Sequence, residues 1–113
     1  LWLYENNLTY VYVLKDLNKL KTLNISYNKL TDISVLKDLT KLENLWLHNN
    51  KIINISEVKN LINLKDLSIY NLELESDQIE YINSLKKLNT LFCKNGFKDM
   101  SVLKQLNKNI IIE

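Results

Sequence analysis

Few side chains in this sequence are suited to covalent or metal chemistry. Cys93 and His48 are the single cysteine and the single histidine among 113 residues. An imidazole can activate a thiol as a nucleophile, but only if the fold brings the two side chains together. One histidine excludes a metal site built on a histidine pair, and one cysteine excludes an intramolecular disulfide. We therefore predict no metal site.

The charged residues do not indicate catalysis or nucleic-acid binding. Many of the 13 acidic residues are scattered beside lysines, which is typical of a solvated face rather than a paired acid and base. The single glycine cannot form a phosphate-binding glycine loop. All 15 basic residues are lysines, and the net charge of +2 is too small to steer the chain to nucleic acid. We predict no enzyme, no cofactor, no nucleic-acid partner and, without an apolar run of roughly 18 residues, no membrane insertion.

One apolar pattern recurs along the chain at a nearly constant period. The motif Leu-x-Leu, or a close variant, begins at residues 1, 23, 45, 67, 91 and 110. The successive spacings are 22, 22, 22, 24 and 19 residues, and such a fixed period indicates a repeat architecture. A single copy cannot bury its own apolar side, so neighbouring copies must stack to form a continuous core.

Each copy predicts a strand, an inward turn and a tight return. The Leu-x-Leu alternation has a period of two residues, so we predict strands at 1–3, 23–25, 45–47, 67–69, 91–93 and 110–112. The following apolar positions recur every three residues, which favours a 3₁₀ or short helical return. After the strand, an asparagine can satisfy backbone groups of the neighbouring coil. We expect such a structural ladder from Asn6, Asn28 and Asn50.

Two segments carry a resemblance to a known family. Residues 30–36 read LTDISVL and residues 99–103 read DMSVL. With the period, they resemble the 22-residue "TDISxL" subclass of leucine-rich repeats, which includes bacterial internalin-like proteins and the leucine-rich regulatory subunit of protein phosphatase 1. The resemblance implies a curved α/β repeat solenoid with a parallel concave sheet and a convex side of 3₁₀ and short helical turns. We expect one such domain over residues 1–113, with about five repeats, as a fragment of a longer chain.

The fourth and fifth copies depart from the pattern. Leu72 takes the asparagine position of the fourth copy, and the return after it is two residues longer. Ser76 could cap a helix there, with Ile79 and Ile82 on one face, so we expect one or two α-helical turns. In the fifth copy Gly96 replaces the asparagine, and we predict that it permits a backbone turn that other residues resist.

The side chains next to the core leucines point away from the core and define a concave face. Six of the ten aromatic residues fall on this face, together with Asn24, Ser26 and Ser68. Trp2 and Trp46 are two repeats apart, so we expect a spaced aromatic ladder without contact between them, with Trp46 exposed at its centre. The predicted partner-binding residues are Trp2, Tyr4, Tyr27, Trp46, His48, Tyr70 and Phe92.

Two interpretations of this face compete. Aromatic residues are enriched at interface hot spots, but they also favour strands and could be fillers of an idle sheet.

The alternation of side chains along the strands turns Cys93 inward and His48 outward, which argues against a nucleophile pair formed by these two residues.

The resemblance leads to three hypotheses about function. The first is a protein-interaction module that binds a macromolecular partner on its concave, aromatic-lined face. The alternatives are an intracellular adaptor or phosphatase-regulating subunit, and a structural spacer in a longer surface protein. A protein partner is favoured over a carbohydrate. The compartment is not defined by the residues, although the resemblance favours the cell surface or secretion, with an intracellular location as the alternative.

Overall fold

The computed structural model describes residues 1–107 and 109–113. Five short parallel strands form one sheet in chain order, β1 to β5. They are Thr22–Asn24, Asn44–Trp46, Asp66–Ser68, Thr90–Phe92 and Ile111–Ile112. The return segments contain 3₁₀ turns at Tyr12–Asp16, Ser34–Asp38, Ser56–Asn60, Ser76–Gln78 and Met100–Gln105, and one short α-helix, α1, at Ile79–Asn83.

The repeat sets the register of the sheet. The central leucines of β1 to β4 pair across adjacent strands, and each is completely buried. Stacking of equivalent apolar positions extends this row into one core that runs through all the copies. The stacked repeats predicted from the period, and the leucine-rich repeat solenoid implied by the resemblance, are therefore confirmed, because each copy buries its apolar side against its neighbours.

Five of the six predicted strands are present, each within one residue of its predicted start. The first predicted strand is reduced to a single bridge between Trp2 and Asn24. Leu1, Leu17 and Ile112, which the repeat places at core positions, are 40%, 42% and 45% exposed. Among the described residues, each of these positions packs against a coil on one side, and its burial is incomplete.

The aspartate of the TDIS segment has a local structural role at the start of the return. Asp32 Oδ1 accepts a hydrogen bond of 2.8 Å from the backbone N–H of Ser34, at the start of a 3₁₀ turn. This bond lowers the pKa of Asp32 below its ordinary value. Asn54 and Asp99 bond the N–H groups two residues ahead in the same way. A short Asx side chain can thus start the return by satisfying a backbone donor that the turn leaves free.

The irregular fourth copy contains the expected helical turn. Ile79 and Ile82 of α1 are buried, as are Leu72 and Leu74 before it. The proposed cap was wrong, because Ser76 lies inside the preceding 3₁₀ turn, and no side chain caps that turn or α1.

Gln78 supplies a polar bridge that the sequence pattern did not indicate. Its side-chain carbonyl accepts a hydrogen bond of 2.8 Å from the N–H of Ile55, and both residues are buried. The longer return of the fourth copy therefore satisfies a backbone donor of the copy before it.

Asn28 links two coils through five hydrogen bonds. Its Oδ1 accepts from the N–H groups of Asn6 and Leu8, both at 2.9 Å. Its Nδ2 donates to the carbonyls of Leu3, Ile25 and Ser26 at 2.9–3.1 Å. The side chain is 7% exposed, so little water can replace these bonds.

The other two predicted ladder residues behave differently from each other. Asn50 is partly buried, accepts from the N–H of Leu30 at 3.0 Å and donates to the carbonyl of Ile25 at 2.9 Å. Asn6 is exposed, and its amide bonds only the carbonyl of Tyr4 in its own copy among the residues described. Among the described residues, the side chain of Asn6 therefore bridges no second copy, unlike those of Asn28 and Asn50.

The turn after each strand uses a left-handed backbone residue. Equivalent positions in the five copies have φ between 54° and 59°; outside this row, Asn7 and Glu73 also have positive φ. The row consists of Glu5, Tyr27, Asn49, Asn71 and Asn95. Asparagine tolerates this conformation better than most residues with a β-carbon, so its recurrence has a local cause.

Gly96 is needed for space rather than for backbone freedom. The left-handed residue of that turn is Asn95, and Gly96 itself does not have a positive φ, although its turn resists other residues as predicted. A β-carbon on Gly96 would lie 2.9 Å from the carbonyl oxygen of Cys93 and 2.9 Å from the side chain of Ile69. The turn therefore packs directly against the neighbouring copy.

We expect Gly96→Ala to lower the free energy of unfolding by about 1–2 kcal/mol, because the added methyl group overpacks a buried site. Urea denaturation of this variant and of the exposed neighbour Lys94→Ala measures the effect, and the second change should stay within about 0.5 kcal/mol. A Gly96→Ala protein as stable as the original would show that Ile69 can move aside and that the turn is not tightly packed.

Candidate functional site

The candidate site is the outward face of the sheet, which we call the concave face. Along each strand the central leucine points into the core, so the residues on either side point outward. The structure places all seven predicted site residues on this face. Trp2, Tyr4 and Tyr27 are exposed, whereas Trp46, His48, Tyr70 and Phe92 are partly buried.

The two tryptophans stack on each other, which corrects the predicted spaced ladder. Their ring centroids are 5.8 Å apart with an interplanar angle of 28°. Asn24 lies between them in the sheet, but its side chain folds back so that Oδ1 accepts from the N–H and the hydroxyl of Ser26. The short, folded Asn24 leaves room for the large indoles to lean together. Trp46 is consequently partly buried rather than exposed as expected.

A second aromatic row runs across the neighbouring positions. Tyr27 packs edge-on against His48 at a centroid distance of 5.3 Å, and His48 against Tyr70 at 5.8 Å. Tyr70 then meets Phe92 at 6.1 Å, again in an edge arrangement. Edge-to-face contacts of this kind favour defined ring orientations. The concave face therefore carries two packed aromatic groups, the stacked tryptophans and this row of edge contacts.

Two serines lie beneath this surface, although the alternation of the strands places them outward. Ser26 and Ser68 are only 2% and 1% exposed. The Ser68 hydroxyl lies 2.9 Å from Nδ1 of His48 and shares a hydrogen bond with it. The large neighbouring rings cover these short side chains, a consequence that no single repeat reveals. Ser68 thus helps to fix the orientation of the His48 ring.

Neither His48 nor Cys93 is placed for catalysis. Partial burial lowers the pKa of His48 below its ordinary value, which favours the uncharged ring. Burial raises the pKa of the Cys93 thiol, which disfavours the nucleophilic thiolate. Cys93 belongs to the core cluster, whereas His48 contacts the rings of the opposite, concave face.

The surface has a depression at the end formed by the first three copies. Its volume is about 440 Å³, and it is open to solvent. We call it the aromatic hollow; it is lined by Trp2, Tyr4, Glu5, Asn24, Ser26, Tyr27 and His48. The sequence pattern indicated its aromatic residues; Glu5, at the position equivalent to Tyr27, was not among the predicted binding residues.

Within residues 1–107 and 109–113, no group of three or more histidine, cysteine or acidic side chains could hold a metal ion. In the same part of the chain, no helix has the length and apolar character needed to cross a membrane.

Comparisons with known proteins agree with this geometry. A family model described as "Leucine Rich repeats (2 copies)" matches residues 18–60. Among solved structures, an internalin (inlF) from Listeria monocytogenes is 34% identical over 97% of this chain, with a TM-score of 0.86. An internalin C2 (inlC2) from the same organism is 28% identical over 95% of this chain, with a TM-score of 0.74. No curated protein matches the chain significantly.

The repeats and the sheet define a leucine-rich repeat protein. Its repeats are internalin-like, as the resemblance of the TDIS segment implied. The chain spans 33% of the length of the first internalin and 47% of the second, so it corresponds to a part of each.

Proposed function

We propose that this chain is a protein-interaction module that binds a protein partner on its concave face. The two packed aromatic groups on this face carry the proposal. Large rigid rings offer contact area at a low entropy cost, which is why tryptophan and tyrosine are enriched among residues that dominate binding energy. The likeness to internalins supports an interaction scaffold rather than an enzyme.

The packing of the rings supports the same conclusion. The tryptophans hold each other in a stack, and the second row is held by edge contacts and by the bond from Ser68 to His48. Side chains that are already ordered lose less entropy when a partner binds. An idle sheet would not require such order on its solvent side.

Site-specific photo-crosslinking tests which surface the partner contacts. A benzophenone amino acid would replace Tyr70 on the concave face in one protein and Tyr12 in a convex 3₁₀ turn in another. A partner protein crosslinked through position 70 but not through position 12 supports the proposal. Crosslinking through position 12 alone would place the interface on the convex side and overturn it.

A further inference from the structure

We propose that the aromatic hollow binds a basic side chain of the protein partner, so that an organic cation sits against Trp2, Tyr4 and Tyr27 near the Glu5 carboxylate. The inference rests on the proposed function and specifies the chemistry of one subsite. Two residues of the hollow share an unusual backbone conformation. Glu5 and Tyr27 both line the hollow, and both have a left-handed backbone, with φ of 57° and 55°.

Glutamate and tyrosine are unfavourable residue types in the row of left-handed residues that follows the strands. Asn49, Asn71 and Asn95 occupy the three other equivalent positions, as local backbone preference favours. Glu5 and Tyr27 are the two members of the row that line the hollow. Residues held in an unfavourable conformation are often retained for a function of their side chains. Here both side chains face the same depression.

The charges of the hollow favour a cation. Trp2, Tyr4 and Tyr27 provide the negative faces of aromatic rings, which attract ammonium and guanidinium groups. Glu5 is the charged residue of the lining, and no ion pair involves it among the residues described. His48 also lines the hollow, and partial burial lowers its pKa, which favours the uncharged ring over one that would repel a cation.

Two polar side chains of the hollow, Asn24 and Ser26, offer few free groups to a sugar. A carbohydrate needs free donors and acceptors for its hydroxyl groups. Asn24 Oδ1 is already engaged with both the N–H and the hydroxyl of Ser26, and Ser26 is buried. An ammonium or guanidinium group needs instead a carboxylate and ring faces, which the hollow offers.

Nuclear magnetic resonance titrations of the ¹⁵N-labelled chain test this chemistry. The probes are two cations and two neutral molecules. The cations are choline and Nα-acetyl-lysine methylamide, whose side-chain ammonium is free; the neutral probes are the choline isostere with carbon in place of nitrogen, and methyl glucoside. We expect choline and the lysine derivative to shift the indole N–H signal of Trp2, with little effect from the two neutral probes. Equal shifts from the isostere, preference for the glucoside, or binding of choline without the lysine derivative would each overturn the proposal.

Two variants separate binding from folding. Glu5→Gln should weaken choline binding by about fivefold, consistent with the loss of a nearby opposite charge. The control Glu43→Gln removes a carboxylate paired with Lys65 at 2.8 Å, outside the hollow, and should leave choline binding unchanged. Equal affinity of Glu5→Gln and the unmodified chain would contradict a role for this carboxylate.

Tyr27→Asn is the sharper variant, because asparagine suits the left-handed backbone. We expect its melting temperature to change little, because the gain in backbone preference offsets the lost edge contact with His48, while choline binding weakens by about fivefold. A lower melting temperature would mean that Tyr27 is retained for stability, and unchanged binding would remove it from the site; either overturns the proposal. Failure of these tests leaves the crosslinking result at Tyr70 intact, so the two ideas can fail separately.

Discussion

Replacing Asn28 with leucine is expected to lower the free energy of unfolding by about 3 kcal/mol. Leucine has a similar size but cannot bond the N–H groups of Asn6 and Leu8 or the carbonyls that Asn28 now engages. Each buried polar group left without a partner costs roughly 1–3 kcal/mol, and water can relieve some of this loss at the exposed Asn6. The total should therefore reach the upper part of that range.

Urea denaturation followed by circular dichroism measures this change. Asn18→Leu is the matched control, since Asn18 is exposed, and its free energy of unfolding should change by no more than about 0.5 kcal/mol. If the Asn28→Leu and Asn18→Leu proteins unfold at the same urea concentration, the hydrogen bonds of Asn28 do not stabilise the stack.

Trp46→Ala is expected to weaken binding of the crosslinked partner by about 2 kcal/mol or more, close to thirtyfold in the dissociation constant. The indole lies on β2, stacks on Trp2 and presents its remaining surface on the concave face. Loss of the stack should also lower the free energy of unfolding by about 1 kcal/mol, because paired aromatic rings contribute about this much.

Isothermal titration calorimetry with the purified partner measures the binding change, and thermal melts measure the change in stability. Tyr12→Ala removes an aromatic side chain that is 63% exposed on a convex turn. It should leave both quantities nearly unchanged, as should Lys37→Ala. If Trp46→Ala binds as tightly as the unmodified chain, or if Tyr12→Ala loses as much affinity, the concave face is not the dominant interface.

Much of the fold could be predicted because the repeat appears directly in the sequence. The spacing of the Leu-x-Leu motif gives the number of residues in one coil, and stacking of the coils is the one arrangement that buries the apolar side of every copy. The core positions and the two-residue alternation followed from local geometry alone. The same alternation assigned the aromatic residues to the concave face before any contact between them was known.

The details of the site depended on contacts between copies. The stack of Trp2 on Trp46 requires the side chain of Asn24 to fold onto Ser26, and the burial of Ser68 depends on rings from adjacent strands. Neither contact has a signature within one copy. Part of the constraint on Gly96 likewise comes from the previous copy, because a β-carbon there would meet the side chain of Ile69 as well as the carbonyl of Cys93.

The sequence by itself determined the period, the core and the side of the sheet that carries the aromatic residues. These properties follow from burial and from the alternation of side chains, which act within each repeat. Tertiary structure alone decided which rings touch, which polar groups are covered and where the hollow lies. Those features depend on side-chain packing between coils, which residue spacing does not specify.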